Sequence, residues 1–352
     1  MNILHLTPDF NYSDGRSYYV YLLLKYLKKN KHNVSLLTNS GDSFERIDRY
    51  SIPYFTEASL SRRSSFLGSV NRICKIAEEN KIDIIHSHHR HYELLANAVK
   101  KKLKVKTVFT ALSIVDRRYY IEYRSDRIIA VSNSVRNMLI NKFNVNKNKI
   151  SLIPNFTDTE ELNMIKSPSS GKKDGIINIL SAGRFHKDKD HLTLIKAVSI
   201  LSRRKMKISL TLIGEGEEKA EIEKQLRENS INSKILPPVK DLYNYINRSD
   251  ICVLSSVRDP LPGFMLESGL IGKPFIGSDA DGISETIKEG VNGLIFRKKN
   301  PEELAEKISV FIRDKMLSEK CSDNLNELVL SKFTEKKVMP EIEDLYKELL
   351  CN

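Results

Sequence analysis

Residues 258–272, RDPLPGFMLESGLIG, follow the apolar run DICVLSS at 250–256. Pro260, Pro262 and Gly263 do not fit inside a central strand or a helix, so the chain must turn after that run. A helix is predicted to begin near residues 264–266, with its free amides and positive dipole end at the carboxyl end of a strand. This strand, turn and helix predict an α/β fold. They also place the carboxylates of Asp259 and Glu267 on either side of one turn.

The same alternation runs through the chain. Strand-like segments separated by helical ones are MNILHLT, NVSLLT, IDIIHSH, KTVFTAL, DRIIAVS and KISLIPN in the first half, and INILSAG, ISLTLIG, KILPPV, DICVLSS and KPFIGSD in the second. Near-continuous β-branched strands between helices are typical of parallel sheets covered on both faces. We therefore predict an α/β protein with two doubly wound, Rossmann-like domains whose strand ends face each other across a cleft.

The domain boundaries follow from length and composition. A chain of 352 residues exceeds the size at which one core usually keeps growing. The segment KSPSSGKKDG is polar and has no apolar periodicity, so it is predicted to be a linker. We expect an N-terminal domain over 1–165, the linker over 166–175, a C-terminal domain over 176–330 and an amphipathic final helix within 331–352.

The charge leaves two interpretations open. The net charge is +12, with 57 Lys and Arg against 45 Asp and Glu, and many of the cations lie in the first third. They either serve solubility alone or attract an anionic partner such as a membrane surface or a phosphorylated acceptor. No nucleic acid partner is expected, because no nucleic-acid-binding motif accompanies the charge.

The expected location is cytoplasmic. No apolar run reaches the length needed to cross a bilayer, and the first residues lack the features of a signal peptide. Peripheral contact with the inner face of the cell membrane stays open. The four cysteines are scattered and predict free thiols.

Two further loops at predicted strand ends suit an anion. In GRFHKDK, Arg184 and Lys189 lie five residues apart and can converge on one anionic group. In PDFNYSDGRS, Gly15 lets the backbone at a helix start approach a ligand closely. Each signal alone is also compatible with a solvated charge run or a tight turn. Their occurrence together at equivalent strand ends favours a binding site.

The sequence HSHHRHY at 86–92 holds four of the eight histidines. His86 and His88 are predicted to point to one face of a strand. A zinc site would need further Cys or acidic ligands, so no metal site is expected here. His88 is instead predicted to serve acceptor binding or proton transfer. The pair Asp279 and Asp281, a D-x-D pattern, is interpreted as part of a loop because Gly282 follows it.

In order along the chain, these motifs resemble the retaining family-4 glycosyltransferases of GT-B type fold. The resemblance covers nearly the whole chain and rests on ILHLTPDF with DG at 14–15, IDIIHSH, DRIIAVSNSVRNMLINKF, ISLIPN, GRFHKDK, DPLPGFMLESGLIGKPFIGSD and DGISETIKEGVNGLIF. It implies transfer of a sugar, with retention, from a UDP- or GDP-sugar to a glycan or lipid-linked acceptor. It also implies that no metal and no cofactor take part, and that the final helix within 331–352 returns to the N-terminal domain.

The resemblance assigns roles to individual residues. Arg184 and Lys189 would bind the donor diphosphate and stabilise the leaving group, and Gly15 would approach the donor from the other domain. Asp259 stands where the family has the Glu that faces the donor sugar. Glu267 stands where the family has the Glu that binds the ribose.

Backbone amides near Phe264 and Met265 would hold phosphate or sugar, and backbone near Val239 would meet the base. Three departures from the family pattern matter, and one of them is Gly263, which gives the loop unusual freedom. Asp259 is one methylene shorter than Glu, and Leu112 takes the place of a His near the transferred sugar. A leucine cannot donate a hydrogen bond. The alternatives are therefore a catalytically impaired or non-catalytic member that acts as an assembly partner, and an epimerase that converts the donor without an acceptor.

Overall fold

The computed structural model describes residues 1–61, 65–118, 122–165 and 175–351. The chain forms two compact units, Met1–Asn155 with Glu335–Asn352, and Phe156–Thr334. The first boundary therefore comes earlier than the expected residue 165, and residues 331–334 belong to the second unit rather than to the final segment. Residues 166–174 of the expected linker lie outside the described residues.

The N-terminal unit contains a parallel sheet of seven described strands in the order β3-β2-β1-β4-β5-β6-β7. Its strands are β1 (Asn2–Phe10), β2 (Asn33–Gly41), β3 (Tyr54–Thr56), β4 (Ile84–Ser87), β5 (Lys106–Ala111), β6 (Arg127–Ala130) and β7 (Ile150–Leu152). The short edge strand β3 was not predicted. The strand order reverses between β1 and β4, which pair in register from Ile3 opposite Ile84 to Leu6 opposite Ser87.

Helices cover this sheet. They are α1 (Gly15–Lys29), α2 (Glu45–Asp48), α3 (Phe66–Glu79), α4 (Arg90–Lys100), α5 (Asn133–Asn137), which continues as a π-helical turn over Met138–Lys142, and α13 (Glu335–Cys351). One core cluster packs α3 and α4 against the sheet, with Val70 and Leu95 against Leu4 and Ile85. Burying each such side chain contributes about 1.5–3 kcal/mol, which explains why the residues of these strands that pack against α3 and α4 are apolar.

The C-terminal unit contains a second parallel sheet, with six described strands in the order β10-β9-β8-β11-β12-β13. Its strands are β8 (Ile177–Ala182), β9 (Ile208–Ile213), β10 (Ser233–Leu236), β11 (Ile251–Leu254), β12 (Phe275–Ser278) and β13 (Leu294–Phe296). Every residue of β11 and β12 is buried. Here the strand order reverses between β8 and β11.

The helices of the C-terminal unit are α6 (His191–Arg203), α7 (Lys219–Glu228), α8 (Leu242–Arg248), α9 (Gly263–Leu270), α10 (Asp281–Thr286), α11 (Pro301–Arg313) and α12 (Lys315–Lys332). The long helix α12 was not predicted. It packs on α9, where Leu325 and Val329 approach Gly269 so closely that a side chain at that glycine would collide with them. The prediction of two doubly wound α/β domains is confirmed.

Candidate functional site

The candidate site of the C-terminal unit lies where the strand order of its sheet reverses. The loop 183–190 follows β8 and the loop 255–262 follows β11, and these two strands are neighbours. Ligands of open α/β sheets bind outside the carboxyl ends of the strands at such a reversal. The topology therefore brings two of the predicted loops together, although they are far apart in sequence.

The first loop exposes Arg184 and buries its neighbour Phe185. The amide of Phe185 donates to the carbonyl of Glu215 at 2.8 Å, and its carbonyl accepts from the amide of Glu218 at 3.0 Å. Gly216 fits beneath this turn because a Cβ there would lie 2.3 Å from the Phe185 carbonyl oxygen. With Phe185 fixed inward, Arg184 points to solvent, and its side chain has no ion pair within the described part of the chain.

Hydrogen bonds join the two loops. The amide of Val257 donates to the carbonyl of Asp188 at 2.8 Å. The hydroxyl of Ser255 donates to the carbonyl of Asp190 at 2.7 Å and to that of Lys189 at 3.1 Å. Asp190, in a left-handed backbone conformation, also caps α6: its carboxylate accepts from the amide of Thr193 at 3.4 Å and from the hydroxyl of Thr193 at 2.7 Å. The loop 183–190 is therefore fixed at both ends.

Lys189 and Asp259 form an ion pair. The Asp259 side chain is 6% exposed and that of Lys189 is 25% exposed. The hydroxyl of Ser256 donates to the same carboxylate oxygen, Oδ2, at 3.1 Å. Two of the predicted site residues thus contact each other directly, and the buried acid has both a charge partner and a hydrogen bond, as a buried charge requires.

The backbone of Asp259 is held by two residues that sequence reasoning did not assign to the site. Its amide donates to Oδ2 of Asp281 at 2.9 Å, and its carbonyl accepts from the amide of Gly282 at 3.0 Å. A Cβ on Gly282 would lie 1.6 Å from the carbonyl oxygen of Pro260, so this contact requires glycine. The D-x-D pattern at 279–281 was the only signal, and its interpretation as a loop missed this contact.

Helix α9 begins at Gly263, one residue before the predicted start at 264–266. Glu267 therefore lies in the second turn of the helix rather than in the first. Pro262 at the N-cap provides no side-chain hydrogen bond to the first amides. Phe264, Met265 and Glu267 are buried. A Cβ built on Gly263 meets no atom of the described residues within 4 Å, so packing against them does not require a glycine at this position.

Val239 is half-buried in the loop between β10 and α8. The strand before it, β10, ends beside the loop after β9, since the amide of Gly214 donates to the carbonyl of Leu236 at 2.9 Å. That loop in turn contacts the loop 183–190, where the amide of Phe185 donates to the carbonyl of Glu215. Val239 therefore lies at the same carboxyl edge of the sheet as Arg184, as its predicted contact with a base requires.

In the N-terminal unit, Gly15 begins α1 directly after the loop that follows β1. Asp14 caps this helix by accepting a hydrogen bond from the amide of Ser17 at 3.1 Å. Arg16 pairs with Asp9 at 2.7 Å and with Asp14 at 3.0 Å, which fixes the loop. Gly15 is exposed, and a Cβ there would meet nothing within 4 Å, so the space above its backbone is open.

His88 is buried, at 2% exposure, among other histidines. Nε2 of His88 and Nδ1 of His5 form a hydrogen bond of 2.9 Å. The ring of His86 bonds through Nδ1 to the hydroxyl of Tyr346 at 2.6 Å and through Nε2 to that of Thr110 at 2.7 Å. This placement does not support a contact of His88 with substrate.

Burial explains the electrostatics of this cluster. It lowers the pKa of His5 to about 3 and holds the pKa values of His86 and His88 well below the usual range for histidine. The rings are therefore neutral at physiological pH. One ring nitrogen of each histidine lies within 4.8 Å of the others. To bind a metal ion, however, His86 would have to give up Tyr346 or Thr110.

Leu112 is half-buried and directly follows β5. The loop beyond it is held by Glu93, a fully buried acid that sequence reasoning missed. Its carboxylate accepts from the amides of Tyr123 at 3.0 Å, Arg124 at 2.6 Å and Ser125 at 3.0 Å. No local pattern signals this role, because the partners lie about thirty residues away, at separations of 30 to 32.

Two family models match the chain. Residues 13–161 match Glycosyltransferase Family 4, and residues 164–327 match Glycosyl transferases group 1. The first match lies almost entirely in the N-terminal unit, and the second lies within the C-terminal unit.

Curated relatives match along most of their length. An uncharacterised glycosyltransferase of Methanocaldococcus jannaschii is 26% identical over 99% of both chains. The capsular polysaccharide biosynthesis glycosyltransferase CapM of Staphylococcus aureus is 22% identical over 93% of both. An Escherichia coli enzyme named UDP-Gal:alpha-D-GlcNAc-diphosphoundecaprenol alpha-1,3-galactosyltransferase is 22% identical over 93% of this chain and 92% of its own.

Solved structures share the fold. A glycosyltransferase from Rickettsia africae matches with a TM-score of 0.88 at 20% identity, over 100% of this chain and 99% of its own. The structure of HepE from Anabaena in complex with UDP and glucose matches with a TM-score of 0.85 at 18% identity, over 99% of both chains.

Proposed function

Because the chain belongs to the glycosyltransferases in which a Family 4 domain precedes a group 1 domain, we propose that it transfers a sugar from a nucleotide diphosphate-sugar to a glycan or lipid-linked acceptor, with retention at the anomeric carbon and without a metal ion. The single observation that supports this most is the arrangement at the strand reversal of the C-terminal unit. There an exposed Arg184 lies on the same loop as Lys189, which is paired with the buried Asp259.

Each residue has a role in this proposal. The diphosphate gains negative charge as it leaves, and Arg184 and Lys189 stabilise that charge in advance of the reaction. The first amides of α9, at Phe264 and Met265, add hydrogen-bond donors, because Pro262 at the N-cap makes no side-chain hydrogen bond to them. Asp259 faces the sugar and Glu267 binds the ribose.

The acceptor hydroxyl attacks on the face from which the diphosphate departs, which retains the configuration. The leaving diphosphate oxygen accepts the proton that the hydroxyl loses. Two cationic side chains and the helix amides supply the charge stabilisation that a metal ion gives in other transferases. The nucleotide base would meet the backbone near Val239, and Gly15 would leave room for the donor.

A UDP-sugar is the favoured donor and a GDP-sugar the second candidate. HepE, which has the same fold, was solved with UDP and glucose, and the E. coli relative is named for UDP-Gal. That relative is also named for a diphosphoundecaprenol-linked acceptor, and CapM for capsular polysaccharide biosynthesis. We therefore propose a role in glycan biosynthesis.

An anionic, lipid-linked acceptor fits the charge of the N-terminal unit. Lys101, Lys102 and Lys104 are exposed after α4, and the ammonium group of Lys102 donates to Oδ1 of Asn71 on α3 at 2.9 Å. Cations of this kind attract phosphate groups at a membrane surface. Across the described segments, no helix is both long and apolar enough to span a bilayer. We propose peripheral contact with the inner membrane face and a cytoplasmic location.

The test is a transfer assay in EDTA. Purified protein receives UDP-glucose, UDP-galactose, UDP-N-acetylglucosamine or GDP-mannose, with undecaprenyl diphosphate-linked N-acetylglucosamine as acceptor probe. The proposal predicts acceptor-dependent release of one nucleoside diphosphate, an α-linked product by NMR, and a large loss in Arg184→Ala. A β-linked product, or donor conversion without acceptor as in an epimerase, contradicts it.

Leu112 favours a second candidate, a catalytically impaired member that binds nucleotide or glycan and assists assembly. Its aliphatic side chain directly follows β5 and offers no hydrogen bond to a sugar. Nucleotide binding without turnover by the wild type, together with turnover in Leu112→His, supports this candidate. Turnover by the wild type that Leu112→Ala leaves unchanged rules it out.

A further inference from the structure

Nearly every polar group of Asp259 is bonded within the C-terminal unit. Its amide donates to Asp281 Oδ2 at 2.9 Å, its carbonyl accepts from Gly282 at 3.0 Å, and its Oδ2 accepts from Ser256 at 3.1 Å and pairs with Lys189. Within the described ranges no hydrogen bond reaches Oδ1. One carboxylate oxygen is thus left for a ligand, and its position depends on the backbone bonds.

Asp281 accepts the hydrogen bond from the Asp259 amide while its own backbone has an unfavourable conformation. Its φ is +32°, in the left-handed region that side-chain-bearing residues rarely adopt. Its carboxyl group is half-buried, and this burial raises its pKa. Ten non-glycine residues among those described have a positive φ, so this conformation alone does not mark a functional site; the contact that Asp281 makes distinguishes it. Here the strained residue directs its carboxylate to the amide of Asp259, 22 positions earlier in the chain.

We propose that Asp281 is a positioning residue for sugar transfer, which fixes the backbone of Asp259 so that Oδ1 reaches the donor sugar. This inference rests on the proposed function. Asp259 has a short side chain, and one methylene corresponds to about 1.5 Å of reach. It cannot compensate by extending when its backbone moves. A misplacement of about 1 Å near the reacting atoms costs roughly 100-fold in rate.

Asp279 provides a matched control. It lies two residues before Asp281, and its carboxylate also accepts a backbone hydrogen bond, from the amide of Lys298 at 2.9 Å. That bond holds the chain after β13 and does not involve the loop of Asp259. Substituting Asp279 therefore removes the same chemistry from the same loop without loosening Asp259.

The experiment compares four variants with the wild type. Asp281→Asn keeps a carbonyl acceptor and tolerates the left-handed conformation, whereas Asp281→Gly relieves the strain and removes the acceptor. Asp279→Asn and Asp279→Gly are the controls. Calorimetry with UDP measures nucleotide binding, and the release of UDP from the preferred UDP-sugar measures kcat and KM.

The expected result separates chemistry from binding. Asp281→Gly lowers kcat by about 10- to 100-fold, the effect of losing one hydrogen bond to a charged group, while its Kd for UDP and its melting temperature stay near those of the wild type. Asp281→Asn keeps kcat within about 5-fold, because a neutral acceptor retains part of that bond. Both Asp279 variants keep kcat within about 2-fold, as expected for surface positions away from the site.

Three outcomes overturn the inference. The first is wild-type kcat in Asp281→Gly. The second is an equal loss of kcat and UDP affinity in that variant, which indicates a general structural role. The third is an equal effect of the Asp279→Gly control. Failure of the proposed function looks different, because the wild type itself would then bind neither UDP nor GDP and would release neither from a nucleotide-sugar.

Discussion

The ammonium group of Lys189 and the carboxylate of Asp259 form an ion pair in which the acid is almost fully buried. The cation proposed for the diphosphate and the acid proposed for the sugar therefore neutralise each other in the free protein. Removing either one leaves the other with an unsatisfied charge, so their substitutions are expected to affect stability as well as binding.

Lys189→Met is expected to lower the free energy of unfolding by about 1–3 kcal/mol, because Asp259 then keeps a buried charge without its partner. The double variant Lys189→Met with Asp259→Asn should recover most of this loss. Urea unfolding measures both. Lys187→Met is the control, since Lys187 is exposed on the same loop. Equal stability of Lys189→Met and Lys187→Met would show that the ion pair contributes nothing.

Gly263→Ala and Gly15→Ala test whether the open space at the two helix starts belongs to a ligand. Neither Cβ meets an atom within 4 Å. Neither glycine has a positive φ, so alanine should leave stability unchanged or raise it by up to about 1 kcal/mol. If a donor approaches the backbone there, UDP or UDP-sugar affinity falls by about 10-fold or more, as for a lost hydrogen bond or a steric clash.

Gly282→Ala is the contrasting control for these glycines. Its Cβ would collide with the Pro260 carbonyl, so this variant should lose stability whether or not a ligand binds. Unchanged affinity in Gly263→Ala and Gly15→Ala would mean that neither helix start approaches the donor.

Glu93→Gln is expected to destabilise the protein by about 3 kcal/mol. The carboxylate accepts from three backbone amides, and an amide side chain would turn an N–H group toward one of them. Differential scanning calorimetry measures the loss. Glu79→Gln is the matched control, because Glu79 is 57% exposed and pairs with Lys75 on the same helix. A loss below about 1 kcal/mol in Glu93→Gln contradicts the assigned role.

The buried histidines predict acid sensitivity. An unfolded histidine binds a proton near pH 6.5, whereas the pKa of folded His5 is about 3, so the unfolded state binds more protons between these values. Stability should therefore be independent of these groups above pH 6.5 and fall as the pH drops below it. The expected slope is about 1.4 kcal/mol per pH unit for each such histidine.

His88→Asn should reduce this slope by about one histidine, as measured by urea unfolding at pH 7.5, 6.5 and 5.5. NMR titration of the folded protein provides an independent check, since the rings of His5, His86 and His88 should stay neutral at pH 5. Protonation of these rings near pH 6.5 in the folded protein would contradict the account.

The sequence predicts the sheets well because buried parallel strands leave largely apolar runs, of which β11 is the clearest. It also predicts which loops bear Arg184, Lys189 and Asp259, since glycine and proline mark strand ends. The helix α12 escaped prediction because its buried residues are few and include Ser318, Cys321 and Ser322.

Long-range polar contacts are the part of the structure that no local sequence pattern predicts. The bond between Asp281 and the amide of Asp259 joins two loops, and the bond between His86 and Tyr346 joins residues 260 positions apart. Local spacing predicted that His88 shares a face with His86, but His5 on the neighbouring strand determines its burial. Such contacts depend on strand order, which sequence periodicity does not specify.

The most direct test of the central claim, that the C-terminal unit binds a nucleotide diphosphate-sugar, is calorimetry with UDP and GDP on the wild type, Arg184→Ala and Lys187→Ala. Arg184 is exposed and has no ion pair among the described residues, so its substitution should not change stability. The account predicts that one nucleotide binds the wild type and Lys187→Ala equally and Arg184→Ala about 10- to 100-fold more weakly. Absence of binding by both nucleotides, or identical affinity in Arg184→Ala, would contradict it.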